Sequence, residues 1–334
     1  MPRVSVILPV YNGAKTIRAT VQSALQQTFD DFELMVIDDG SRDSTRAILD
    51  EFRDPRITVR GYPNAGLATS RNRGLGLARG EFVAFLDADD LWLPDKLRLQ
   101  VAALDKDREA ALAYGWTDYI DEVGRPMHRG QHALNRGAVL DELLVNNFVE
   151  TGSNPMVRRL AIDECGGFDQ SLSAAEDWDL WLRLAMRFRF AVVTQTLVLY
   201  RVHAGSMSSA DVLRQERCSL EVIERAFERS GASRIRQRQS LANLYRYLTY
   251  RALTPPLSRA MAVHALRFWR CAIAHEPALL VRSTYPAISI AKIAAALMLP
   301  SQVQHLLLDT LRAVTRPIAA DTAPREVISE DRSP

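Results

Sequence analysis

The sequence predicts an α/β protein: a mostly parallel sheet flanked by helices, followed by an all-helical C-terminal extension. Three observations carry this. Over the first hundred residues short apolar runs alternate with helix-period segments, the pattern of strand–helix units joined by right-handed crossovers. Two of those runs, FELMVIDDGS and EFVAFLDADD, end in acidic residues: Asp38 and Asp39 in one, Asp87, Asp89 and Asp90 in the other. Beyond Ser206 only helical periodicity remains.

Val4–Leu8 has the apolar character of a first strand, and Pro9 and Asn12 interrupt it, so MPRVSVILPVYNG reads as a strand and not as a signal peptide. A helix is expected near 16–27, a strand over Phe32–Ile37, a helix near 44–52 and a short strand over Ile57–Arg60. NAGLATSRNRGLGLARG reads as a loop and helix. In the strand Glu81–Leu86, Val83-Ala84-Phe85-Leu86 suits burial on both faces. Pro94 stands where a helix would begin, and Ala110–Tyr114 has strand character. From about 120 to 200 the pattern is less regular, as where loops build a second ligand site. There EDWDLWLRLAM puts Trp178, Trp181, Leu182 and Ala185 on one helical face, and Phe190–Tyr200 reads as one strand or two. Helices follow near 210–230, 234–252, 258–274, 284–298 and 301–315, with a frayed tail over 317–334.

At 334 residues the chain can bury a sizeable core, and 47% apolar with 25% charged residues is ordinary globular composition. Its three cysteines are widely spaced and free of any CxxC pattern, which points to reduced thiols in a cytoplasmic protein with neither a disulfide frame nor a zinc site. The net charge of +2 hides an asymmetry: residues 229–316 hold 13 basic and 2 acidic residues. Two halves of such different charge imply different partners.

In an open α/β sheet, ligands bind beyond the carboxyl ends of the strands. Carboxylates placed there suit a hard divalent cation; helix N-capping is the plainer alternative.

Seven stretches together resemble glycosyltransferase family 2, enzymes of GT-A fold that use nucleotide-sugar donors: VSVILPVYNG, LMVIDDGSRDST, NAGLATSRNRGL, EFVAFLDADDLW, GGFDQSL, AEDWDLWLRL and YRVHAGSMS. They keep the family's order and spacing and cover roughly residues 3–209. The resemblance implies a glycosyltransferase domain over 1–209 (nucleotide half about 1–115, acceptor half about 116–209), then a helical extension over 210–316 and the tail.

It also implies site residues. Pro9, Tyr11 and Asp39 would meet the nucleoside, an aromatic ring stacking on a base and a carboxylate accepting from base or ribose. Asp38 reads instead as a capping or core-satisfying carboxylate. Asn64, Gly66 and Arg71 lie in the donor loop and helix, with Arg71 offered to diphosphate oxygens; Arg73 could equally sit on the solvated helix face. Asp87-Ala88-Asp89 matches the DxD motif. Asp89 would coordinate Mn²⁺ or Mg²⁺, Asp87 would touch the metal or the ribose, Ala88 would line the donor site, and Asp90 would cap a helix. His203 would face the diphosphate or the metal. Asp177 is the expected general base, Glu176 would position the acceptor, and Trp178 would stack on a sugar face.

The expected reaction is metal-dependent and inverting, from a UDP-sugar to a glycan or lipid-linked acceptor in cell-surface glycan assembly. Two alternatives are a DxD-type phosphohydrolase and a catalytically silent sugar-nucleotide-binding protein. The phosphohydrolase pattern wants Thr or Val after the second Asp, where Asp90 stands. In the extension, ALLVRSTYPAISIAKIAAALML (278–299) is long enough to span a bilayer, but Arg282, Pro286 and Lys292 interrupt it. A charge at the centre of a spanning helix costs ~2.5–3.5 kcal/mol. Helices lying peripherally on the anionic inner face of the cytoplasmic membrane fit better, beside the alternative of a helical subdomain packing on the catalytic domain or in a homodimer. Nucleic acid is not an expected partner, because no stacking aromatics are interleaved with the basic residues.

Overall fold

The computed structural model describes residues 1–203, 211–254, 258–282 and 285–298. In chain order the first part reads β1 (Val4–Val10), α1 (Ile17–Leu25), β2 (Phe32–Asp38), α2 (Thr45–Leu49), β3 (Ile57–Gly61), α3 (Leu67–Leu77) and β4 (Phe82–Phe85). There follow β5 (Leu91–Trp92), α4 (Lys96–Lys106), β6 (Ala110–Ile120), β7 (Pro126–Arg129), α5 (Leu140–Val145), β8 (Met156–Arg158), α6 (Arg159–Cys165), α7 (Glu176–Ala185) and β9 (Arg189–Arg201). The remaining elements are helical: α8 (Val212–Ser230), α9 (Arg234–Ala252), α10 (Arg259–His275), α11 (Leu279–Arg282) and α12 (Tyr285–Met298).

The strands form one sheet in the order β3-β2-β1-β4-β8-β6-β9-β5, with β7 paired to β6. β1 is parallel to β2 and β4, β2 to β3, and β6 to β9. β8 is antiparallel to both β4 and β6, so β1 to β4, β6 and β9 all run the same way. Their carboxyl ends therefore meet at one edge of the sheet. The reversed β8 brings the residues that precede it, Thr151–Asn154, to that same edge. Every residue of β1, β2 and β4 is buried, as strands covered on both faces require.

A buried polar network fixes the middle of the sheet. Asn154 Oδ1 accepts from the Gly115 amide at 2.8 Å, and its Nδ2 donates to the Gly115 carbonyl at 2.8 Å. Gln100 Nε2 donates to the carbonyls of Ala113 and Asn154, and its Oε1 accepts from Lys96 Nζ at 2.7 Å. The Lys96 ammonium lies 4.1 Å from the Trp92 ring centroid, and burial pulls its pKa well below the ordinary lysine value. A satisfied network of this kind specifies one register where a purely apolar core would tolerate several.

The strand expected over Ala110–Tyr114 continues to Ile120, while β5, β7, β8, α5 and α6 have no counterpart in the sequence reading. Strands of two to four residues are too short to show a period. By contact density the chain divides after Leu244. The first compact unit thus takes in α8 and much of α9, beyond the expected boundary at 209. In the second, α10 packs against α12, the Tyr245 and Phe268 rings stack at 6.2 Å, and the Tyr285 hydroxyl donates to Thr249 Oγ1 at 3.1 Å. No described helix is long and apolar enough to cross a membrane. The helix expected over 301–315, the tail and the AGSMS stretch lie outside the described residues.

Candidate active site

At the carboxyl edge β2 delivers Asp38 and Asp39. Asp38 Oδ1 accepts from the Ser41 amide at 2.9 Å and closes the turn, where the sequence suggested a capping or core-satisfying carboxylate. Asp39 is buried and accepts from the Ala65 amide at 3.0 Å, the Gly66 amide at 2.8 Å and Arg73 Nη1 at 2.8 Å. It thereby ties the β2 end to the loop that carries Asn64 and Gly66, both of them exposed. Arg73 also stacks on Tyr62 at 4.6 Å, so it is not a merely solvated residue. Gly40 has φ +80°, and a Cβ there would sit 3.1 Å from the Asn64 amide nitrogen, which explains glycine under this loop. Of the β1 residues, Pro9 is buried within the strand and Tyr11 stands 49% exposed just beyond it.

β4 delivers the second acidic set. Asp87 donates its amide to Ser153 Oγ at 3.0 Å, and its Oδ1 accepts from Arg71 Nη2 at 2.6 Å. Arg71 is fully buried in α3, and its Nη1 donates at 2.8 Å to Glu176 Oε1 at the start of α7. Burial works against this guanidinium's charge, but Asp87 and Glu176 more than offset it and its pKa is raised. Its Nε has no partner among the described atoms, and its Cζ lies 5.1 Å from the Phe168 ring centroid. Arg71 therefore does not stand free for a diphosphate, as the sequence reading had it. Two carboxylates already hold it, because α3 packs it beneath the edge and not at the surface. Glu176, expected to meet the acceptor, is its other anchor.

Asp177 follows. The turn into α7 places Ala175 at φ +58°, a left-handed conformation unusual for a residue with a Cβ. The partly buried Asp177 accepts from the Trp178 amide at 2.7 Å. Burial and the neighbouring Glu176 charge push its pKa up to about 7, with Arg71 pulling the other way and Asp87 adding to the rise. A carboxyl poised there is suited to proton transfer near neutral pH. Trp178 was expected on a sugar face, but it is buried and donates its indole N–H to the Leu143 carbonyl at 3.0 Å. The amphipathic face of α7 turns it inward, where Trp181 also packs edge-on to Phe168.

β9, parallel to β6, carries the chain to His203, whose Nε2 lies 2.9 Å from Asp89 Oδ2. That hydrogen bond raises the imidazole's pKa. Asp90, expected to cap a helix, is instead completely buried. It accepts from Ser153 Oγ at 2.6 Å, Thr151 Oγ1 at 3.4 Å and the Arg201 amide at 3.0 Å, and burial together with Asp89 and Asp87 raises its pKa well above the carboxylate range. The Ala88 carbonyl faces α1, accepting from Thr16 and Thr20 hydroxyls at 2.8 and 3.0 Å. Gly152 packs so closely on Arg71 that a Cβ would collide with Nη2. Thr151, Gly152, Ser153 and Arg201 are site residues that sequence reasoning missed. The one signal for the first three was a run of small and polar residues, TGSN, in an irregular segment; Arg201 lay within the YRVHAGSMS stretch.

Among the described residues no three His, Cys, Asp or Glu side chains converge as a metal cage. Asp89 and His203 do offer a carboxylate and an imidazole side by side. Mg²⁺ or Mn²⁺ on a diphosphate takes one or two protein ligands and completes its shell from phosphate and water oxygens, so this donor pair fits such an ion. Asp87 is turned to Arg71.

A family model described as glycosyltransferase like family 2 matches residues 5–252. The chain is 32% identical over 222 residues to the Escherichia coli UDP-Glc:alpha-D-GlcNAc-diphosphoundecaprenol beta-1,3-glucosyltransferase WfgD, a match covering 62% of this chain and 79% of that one. It is 29% identical over 235 residues to Escherichia coli chondroitin synthase, covering 69% of this chain and 33% of that protein. An uncharacterized glycosyltransferase of Rickettsia felis is 29% identical over 233 residues, with 66% of this chain and 37% of that protein covered, so the chain spans well under half of some relatives. In three dimensions it resembles S. aureus TarS 1-349 in complex with UDP-GlcNAc, with a TM-score of 0.56 at 19% identity, covering 94% and 88% of the two chains. It also resembles the mannosyltransferase PcManGT from Pyrobaculum calidifontis in complex with GDP-Man and Mn²⁺, with a TM-score of 0.56 at 21% identity and 96% and 88% covered. At such identities these likenesses show the fold, GT-A, and the match leaves the phosphohydrolase alternative without support. With the family model spanning the whole sheet and every acidic strand end, the chain belongs to glycosyltransferase family 2 and carries its GT-A glycosyltransferase domain.

Proposed function

We propose that this protein transfers a sugar, with inversion, from a nucleotide-sugar donor to an acceptor hydroxyl, the donor being a UDP-sugar. One observation carries the reading: Arg71 bridges Asp87 at the donor end of β4 to Glu176 at the start of α7, and so sets Asp177 beside the DxD segment. Asp177 takes the proton of the acceptor hydroxyl, the freed oxygen bonds to the anomeric carbon, and the bond to the nucleoside diphosphate breaks. The displaced diphosphate carries away the electron pair. Asp89 and His203 would hold a divalent cation, which when bound neutralises charge developing on that leaving group. Arg71 holds Asp87 and Glu176 together through its two terminal nitrogens; it positions, and does not itself meet the donor. Asp39 orders the loop that carries Asn64 and Gly66, and the exposed Tyr11 is offered to a base, with Pro9, Asn64, Gly66 and Ala88 shaping the donor site. WfgD, by its name, acts on a diphosphoundecaprenol-linked sugar, which favours a lipid-linked acceptor in cell-surface glycan assembly.

The test is a thermal-shift screen of nucleoside diphosphates with and without Mn²⁺, followed by a transfer assay using the best base. A ligand at a hundred times its Kd adds ~2.7 kcal/mol of stability. UDP with Mn²⁺ should shift the midpoint most. A response to no nucleotide at all would sink the proposal.

A further inference from the structure

We infer that the second unit docks on an anionic lipid surface through the outward stripe of α10 and the exposed residues of α11 and α12, lying in the interface without crossing it. On α10, Ala262, Ala265, Phe268 and Ala272 are buried. The opposite stripe presents Arg259, Val263 and Arg270, which fall within a narrow arc at helical spacing. Neither arginine has a carboxylate partner among the described residues. Val263 is 58% exposed, Leu280 and Val281 of α11 are 54% and 85% exposed, and Ile290 of α12 is 40% exposed. Single exposed apolar residues need no explanation. Here, however, they accompany an excess of basic residues in the same unit: 7 against 1 acidic over 245–298.

The combination selects the occupant. A second copy would cover the apolar side chains but set arginine against arginine. A nucleic acid would answer the charge and leave Val263, Leu280, Val281 and Ile290 in water. An anionic headgroup layer over acyl chains answers both. The inference deepens the proposed reading, since a lipid-linked acceptor would be met at that surface. It does not depend on transfer activity, so the two can fail separately.

The experiment is flotation of the full chain with vesicles of phosphatidylcholine alone or of phosphatidylcholine mixed with phosphatidylglycerol. The chain should float with the anionic vesicles only, and less as salt rises, because screening shortens the field to ~10 Å at 0.1 M. Each removed surface charge should weaken partition roughly fivefold, the equivalent of ~1 kcal/mol. R259E/R270E should therefore lose at least about 25-fold. L280D/V281D should also release the chain. Both variants should keep the UDP–Mn²⁺ thermal shift, showing that the first unit stays folded. Equal recovery in the bottom fraction with both vesicle types would overturn the inference. So would a concentration-dependent dimer that L280D/V281D dissociates without any lipid binding.

Discussion

At the end of β2 the chain places Asp38 and Asp39, and after β4 it places Asp87, Asp89 and Asp90. The two sets look alike in sequence and differ in what holds them. Those at the end of β2 face the chain itself: Asp38 closes a turn, and Asp39 gathers two amides and an arginine. Those after β4 divide the work. Asp90 turns inward to Ser153, Thr151 and the Arg201 amide, Asp87 joins α7 through Arg71, and Asp89 pairs with His203 at the open edge. An acidic strand end is thus not a site by itself. It becomes one where a second strand and a second helix bring partners that leave an oxygen facing out.

On the proposed reading, proton transfer belongs to the side of the site that Arg71 ties to β4. Asp177→Asn, nearly isosteric, should lower transfer by ~10²–10⁴ while UDP binding persists. Asp39→Asn should instead weaken nucleoside binding and leave turnover of bound donor largely intact. If the two variants exchange these phenotypes, the division of labour is wrong. The wild-type kcat/KM should also carry an acidic limb. A base whose pKa is raised to about 7 is protonated and idle below that pH and active above it, so the rate should rise through pH 7. Asp177→Asn should abolish the limb along with the activity.

Next in size, Asp89→Ala should weaken Mn²⁺-dependent UDP affinity by roughly a hundredfold, ~2.8 kcal/mol by the affinity scale, in calorimetric titration. Unchanged affinity would remove Asp89 from the cation. Gly152→Ala should drive Arg71 from its seat and cost ~1–3 kcal/mol as overpacking in chemical denaturation, with a fall in transfer larger than the fall in UDP affinity. A variant as active as wild type would show that the Arg71 bridge is dispensable. Asp90→Ala leaves buried donors unpaired and should cost ~1–3 kcal/mol of stability, whereas Asp90→Asn can still accept from the Arg201 amide and should cost less. Equal losses would mean that Asp90 acts through its charge.

Much of the first unit was legible. The alternation of apolar runs with helical segments places β1 to β4 within a residue or two; for β1, β2 and β4 the reason is that strands buried on both faces are largely apolar. The acidic strand ends, the EDW segment and His203 were also visible as candidates. What each does was not. Trp178 looked like a sugar platform and is core, Arg71 looked like a diphosphate ligand and is a bridge between carboxylates, and Asp90 looked like a cap and is the buried anchor of the edge. Periodicity reports that a side chain faces inward or outward on its own element, and it says nothing of which element lies opposite.

By itself, then, the sequence determined the α/β class, the family and the list of acids, since those depend on local pattern and on motif order along the chain. Tertiary structure decided the pairings across 105 positions between Arg71 and Glu176 and across 114 between Asp89 and His203. These arise because β8 runs against its neighbours and brings Thr151–Asn154 to the edge, while β9 runs with them and ends there too. Strand direction depends on which crossovers pack best over the whole sheet, and no window of residues contains that information. The same packing desolvates Asp177 beside Glu176 and so raises a plain aspartate's pKa to about 7, because the cost of charge is set by the surroundings and not by the residue.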